Sequence, residues 1–218
     1  MNQSVFHFIP EKSFLQDDFV VSSCNIDAFR MVTTWPRTWE NHCLIINGGA
    51  ASGKTFLTKI WQEASSAKYI DINNTDKLFQ SSAPENIIIE DIEKLLPQHE
   101  EKIFHIYNNI LNGKGSLLIT SAKPIISLDI KTPDLRSRLS AATIINILQP
   151  DNELLKALLF KHFSDMQITV STAVIDFLIP RIERSFESVY NVVELINKRS
   201  LESKRNITIP FIKEILGL

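Results

Sequence analysis

One contiguous run constrains this chain more than any other feature. Gly48-Gly49-Ala50-Ala51-Ser52-Gly53-Lys54-Thr55 fits G-x-x-x-x-G-K-[ST], the phosphate-binding loop pattern. Leu44-Ile45-Ile46-Asn47 before it reads as a short buried strand, and 56–63 after it reads as a helix. That strand–loop–helix context is what the pattern requires. Glycines let the backbone curl so that its N–H groups converge on phosphate oxygens, and the helix N-terminus adds its positive dipole end. Lys54 is placed to reach the outer phosphates and Thr55 to hold Mg²⁺. The competing reading is a glycine-rich turn that fits by chance, which the flanking strand and helix argue against.

The rest of the chain fits a sheet domain built around that loop. Apolar runs at 44–46, 69–72, 87–89, 117–120 and 144–148 are strand candidates. Helix candidates at 54–65, 101–111 and 133–139 separate them, which predicts a mostly parallel sheet covered on both faces. After Gln149-Pro150 the pattern is helical only. Stripes at Leu154, Leu155, Leu158, Leu159 and Phe163, at Ala173, Val174, Phe177 and Leu178, and at Val189, Val192, Val193 and Ile196 predict a small bundle. Thr208 and Pro210 open a last short helix. The expected organisation is a terminal peptide at 1–10, a sheet domain at 11–149 and a helical lid at 150–218.

Composition narrows the function classes. A chain of 218 residues suits one α/β domain with an appendage, burying ~70% of its unfolded surface. The net charge of −2 gives no global basic field for nucleic acid. Cys24 and Cys43 have no framework spacing, as expected in a reducing cytosol. No apolar run has the length of a membrane span, and no secretory leader is read at the start. The histidines His7, His42, His99, His105 and His162 have no zinc spacing, and neither G-x-S-x-G nor C-x-x-C occurs.

Further elements could complete a phosphate site. Ile87-Ile88-Ile89 runs into Glu90-Asp91, a buried strand ending in two carboxylates. Glu90 is placed for the metal side and Asp91 to orient water. The alternative is two solvated acids that start a loop. Leu117-Leu118-Ile119 ends in Thr120-Ser121, whose hydroxyls either approach the outer phosphate or cap the strand. Thr132-Pro133-Asp134 predicts a helix start, and Arg138 follows about one and a half turns later. An arginine there either pairs locally or reaches a neighbouring molecule's nucleotide.

In this order and spacing, these motifs resemble the AAA+ ATPases, in the branch of the replication initiator DnaA. Within that branch the chain is similar to the short Hda-like DnaA paralogues, over nearly its whole length. The run Arg205-Asn206-Ile207-Thr208-Ile209-Pro210-Phe211-Ile212-Lys213-Glu214-Ile215-Leu216 is close to the ending of that family. The resemblance implies a P-loop parallel-sheet domain with helices on both faces and a helical lid. It implies ADP or ATP with Mg²⁺ at Gly48, Gly49, Ala50, Ala51, Ser52, Gly53, Lys54 and Thr55, with Thr55 and Glu90 on the metal. Phe19 and Val20 would cover the base. Asp91, Thr120 and Arg138 would serve catalysis, Arg138 as a finger acting on ATP bound to DnaA. Gln3, Phe6 and Phe8 fit a peptide that docks on the DNA polymerase sliding clamp, the alternative being a terminal strand packed on the protein itself. DNA would be met only through the clamp, in the cytoplasm, with a homo-oligomer left open.

Two departures bear on activity. The family's lid arginine falls on Ser188, with Arg184 one turn earlier as a substitute on the same expected helix. Glu90 stands where Asp is usual. Both predict weak intrinsic hydrolysis. The implied role is regulation of replication initiation. The alternatives are a self-sufficient ATPase acting as a loader or remodeler, and a nucleotide-binding interaction module without finger activity.

Overall fold

A computed structural model describes residues 16–39, 42–72 and 85–217. The clamp-peptide residues Gln3, Phe6 and Phe8 lie outside them. Five strands form one sheet: β1 (Cys43–Asn47), β2 (Lys68–Tyr69), β3 (Ile87–Ile89), β4 (Leu117–Ser121) and β5 (Thr143–Asn146). Their order is β2-β3-β4-β1-β5, and every pair is parallel. Because helices cover both faces, β1, β3 and β4 are buried along their whole length and read as unbroken apolar runs.

The pleat divides those runs between two cores. Cys43, Ile45, Ile87, Ile89, Leu117 and Ile119 face α3 (Ile92–Asn112) and α4 (Pro133–Ala141). Leu44, Ile46, Ile88 and Leu118 face α1 (Ile26–Thr33) and α2 (Lys54–Ser65), where Trp39 stacks on Trp61 with ring centres 4.9 Å apart. The insertion of β4 between β1 and β3 sets the C-terminal ends of all three side by side. Asn47 is level with Ser121 and Ile89 with Ile119. The phosphate loop, the acid pair and the β4 hydroxyls therefore share one edge, where sites of open parallel sheets form.

The lid consists of α5 (Asn152–Asp165), α6 (Thr172–Leu178), α7 (Phe186–Ser203) and α8 (Ile209–Leu216) around a third core. Side chains cap three of these helices. Asp151 accepts from the Leu154 amide at 2.7 Å, Ser185 from that of Ser188 at 3.1 Å and Thr208 from that of Phe211 at 3.4 Å. Among the described residues no helix is long and apolar enough to cross a membrane.

α1 was not among the elements expected from the sequence, and α3, β5 and β2 have other bounds than expected. α3 starts at Ile92 rather than 101, because it carries Pro97 internally and bends at His99 (φ −136°, ψ 22°) instead of ending. β5 stops at Asn146: the Ile147 amide donates to Asn47 O at 2.7 Å, and the Leu148 amide then leaves the sheet for Cys24 O at 2.9 Å. β2 is Lys68–Tyr69, not 69–72.

Candidate functional site

The loop between β1 and α2 is a cradle. Gly53 sits at φ +90°, a conformation that strains an L side chain, and a Cβ there would lie 2.9 Å from the Phe19 ring. A Cβ on Gly48 would lie 2.5 Å from Ser52 Oγ. Ser52 Oγ and Asn47 Oδ1 are buried beside the loop without a hydrogen-bond partner. Gly53 caps α2 without a side chain, so the first amides of that helix are left for an anion. These residues fit the phosphates of a nucleotide.

Lys54 is turned into this cradle. It is 8% exposed, and its Nζ donates to Gly48 O at 2.6 Å and Gly49 O at 2.7 Å. Desolvation holds its pKa below the ordinary lysine value, although Asp91, Glu93 and Glu90 pull it back up. Thr55 is exposed at the start of α2.

The acids at the end of β3 are each held. Thr58 Oγ donates to Glu90 Oε1 at 2.9 Å and lies 2.9 Å from the Tyr69 hydroxyl, so Thr58 links Tyr69 to Glu90. Asp91 adopts the left-handed region (φ 49°), and its amide donates to Thr120 Oγ at 3.0 Å. Lys94 reaches the Asp91 carboxylate at 2.6 Å. Thr120, 1% exposed, thus fixes the backbone of Asp91. Glu93 was not singled out in the sequence, yet its carboxylate accepts from Ser121 Oγ at 3.0 Å and the Ala122 amide at 3.1 Å, joining α3 to the end of β4.

A cleft of about 140 Å³ separates the loop from the lid. Phe19, Val20, Ala51, Ser52 and Gly53 line one side, and Leu154, Leu158, Lys161 and His162 the other. Phe19 is stacked on Phe29 at 5.5 Å. Ligand sites for drug-sized molecules run to ~300–1,000 Å³.

The lid arginine has no direct replacement at the expected place. Ser188 lies in the first turn of α7, and its hydroxyl donates to Glu183 O and, at 2.8 Å, to Ser185 O. Arg184 is not on that helix, contrary to the expectation, because Ser185 is its N-cap and the helix begins at Phe186. The cation that the lid does bring to the cleft is Lys161, one turn beyond Leu158 on α5, and its contact with Asp165 is 3.6 Å long. Its spacing from Leu154 and Leu158 was the available signal.

Arg138 lies in the last turn of α4, within the helix expected at 133–139. Its side chain is exposed, and its guanidinium carbon is 5.6 Å from the Phe104 ring centre and 5.9 Å from that of Tyr107. Among the described residues no carboxylate forms a salt bridge with it. Arg136 instead turns back along the chain and donates to Ile130 O.

The chain has counterparts among known proteins. The family model of the Hda lid domain matches residues 151–216. An uncharacterized protein of Haemophilus influenzae is 30% identical over 187 residues, which cover 78% of this chain and 80% of that protein. Domain III of the replication initiation protein DnaA from Thermotoga maritima superposes with a TM-score of 0.79 at 16% identity, covering 94% of this chain and 95% of that one. AMPPCP-bound DnaA from Aquifex aeolicus superposes with a TM-score of 0.69 at 16% identity, covering 89% and 68% of the two chains.

Proposed function

Because the chain belongs to the Hda-like, DnaA-related family of AAA+ proteins, we propose that it is a nucleotide-bound regulator of replication initiation that promotes hydrolysis of ATP on DnaA. The observation that carries this reading is Arg138: exposed, without a carboxylate partner among the described residues, and propped on two rings at the edge of the sheet domain. A guanidinium so presented is suited to a phosphate on another molecule.

ADP or ATP would lie on the amides of residues 48–53, with Lys54 on its phosphates and Phe19 and Val20 against the base. Thr55 and Glu90 would hold Mg²⁺, which supplies charge neutralisation at the phosphates. Asp91, its amide held by Thr120, would orient water. Lys161 would contribute the lid's positive charge in place of the arginine that Ser188 lacks. The carboxylates of Glu90 and Asp91 are already engaged by Thr58 and Lys94, which supports slow intrinsic turnover. The bound nucleotide then serves mainly to set loop and lid. Gln3, Phe6 and Phe8 would load the protein onto a sliding clamp on DNA, bringing it to its DnaA partner.

The test is ATP hydrolysis by ATP-loaded DnaA with clamp on DNA, with and without this protein. The parent should stimulate it, and replacing Gln3 and Phe6 by alanine should remove the clamp dependence without lowering Tm. Robust turnover by the isolated protein, with no effect on DnaA, would favour a self-sufficient ATPase.

A further inference from the structure

α4 has nine residues, too few to set its own direction in water. Leu135 and Leu139 bury its inner face, but its ends are fixed by α3. Glu100, Phe104 and Tyr107 stand at one-turn intervals along α3, on the side that meets α4. The Glu100 carboxylate accepts from the Lys131 amide at 2.9 and 3.0 Å, from the Thr132 amide at 2.8 Å and from Thr132 Oγ at 2.8 Å. Thr132 is the N-cap of α4, yet its side chain makes no bond to the helix; its hydroxyl goes to Glu100. At the other end the Tyr107 hydroxyl donates to Arg138 O at 3.3 Å.

We propose that Glu100 is a positioning residue for Arg138. It grips the chain at Lys131 and Thr132, sets the tilt of α4 and so sets where the guanidinium is presented. This rests on the reading of Arg138 as a finger for a partner's nucleotide. Thr132 to Arg138 spans ~9 Å of helix, so a tilt of about 6° moves Arg138 by ~1 Å. A displacement of that size at a catalytic group can cost ~10²-fold in rate. The site is built for an ionised carboxylate. Desolvation alone would raise the Glu100 pKa, but the donors from Lys131 and Thr132 outweigh it and hold the pKa below the usual value. The bend at His99, immediately before Glu100, gives this part of α3 its own direction.

The test compares parent, Glu100→Ala, Glu100→Gln, Arg138→Ala and the Glu100→Ala/Arg138→Ala double variant. The readouts are the maximal stimulated rate on ATP-loaded DnaA, the concentration giving half of it, and ADP affinity. Glu100→Ala should lower the maximal rate by about 10- to 100-fold. ADP affinity should stay within about twofold, because Glu100 bonds to Lys131 and Thr132 and not to the loop, and the loss should fall on the maximal rate more than on half-saturation. Glu100→Gln keeps one oxygen acceptor and should fall between Ala and parent. In the Arg138→Ala background, Glu100→Ala should cost nothing more, which a purely structural tie would not produce. A parent-like rate for Glu100→Ala overturns the proposal, as does an equal further loss in the double variant. If Glu100→Ala does not fold, a parent-like rate for Glu100→Gln overturns it. If Arg138→Ala itself stimulates like the parent, the finger reading fails and takes this proposal with it. An inert Arg138→Ala beside a parent-like Glu100→Ala removes the positioning role alone.

Discussion

The phosphate loop and α4 each carry a cation, one after the end of β1 and the other just before the start of β5, and they treat it in opposite ways. Lys54 is 8% exposed and satisfies two carbonyls of its own loop. Arg138 is exposed, rests on the rings of Phe104 and Tyr107, and has no carboxylate within salt-bridge reach among the described residues. On the proposed reading, Lys54, turned inward, serves a nucleotide that enters this protein, and Arg138, turned outward, serves one that another protein holds. The two chemistries are therefore separable by mutation.

The sharpest test of that separation is Arg138→Ala. Stimulated hydrolysis on DnaA should fall by about 10³-fold, with ADP binding unchanged by calorimetry. Arg138→Lys should fail in large part, since a point charge lacks the planar fork. Arg136→Ala should stimulate like the parent, because its guanidinium is tied to Ile130 O; if it is the variant that fails, the two arginines exchange roles. Lys54→Ala should act on the other side of the comparison. It removes charge-assisted contacts worth ~1.5–3 kcal/mol each, so ADP affinity should drop about 100-fold. Unchanged ADP affinity in that variant would break the assignment of the loop.

Smaller effects sharpen it. Lys161→Met should weaken ADP about fivefold, as expected for one partly screened charge, and Ser188→Arg should tighten it. If Lys161→Met binds ADP like the parent, the lid supplies no charge to the site. The smallest effect is a fraction of a proton. The Lys54 pKa is depressed in the free protein, chiefly by desolvation, and phosphates at the loop would raise it. ADP binding should therefore take up protons as the pH climbs toward the ordinary lysine range, and affinity should decline there. Calorimetry in buffers of different ionisation heat reads this directly, and proton release would contradict it.

Legibility followed the distance between the residues involved. The loop at 48–55 was readable because its residues are contiguous, and β1, β3 and β4 because burial on both faces leaves no polar alternation. Only 101–111 of α3 was expected from the sequence, whereas the helix begins at Ile92, carries Pro97 and bends at His99. Arg184 was misplaced because the capping role of Ser185 shows only in its bond to the Ser188 amide. Glu93 and Glu100 carried no local signal: their partners, Ser121 with Ala122 and Lys131 with Thr132, come from other elements brought close by the fold. Lys161, by contrast, had a periodicity with Leu154 and Leu158 that pointed to its place.

The bonds from Lys54 to Gly48 O and Gly49 O also bear on time course. An arriving diphosphate meets a loop whose ammonium already has acceptors, so encounter and capture are two events. Encounter scales with ligand concentration, but release of the lysine from its carbonyls does not. In stopped-flow mixing the observed rate should climb and then level off, and the plateau would be the frequency at which the loop lets its lysine go.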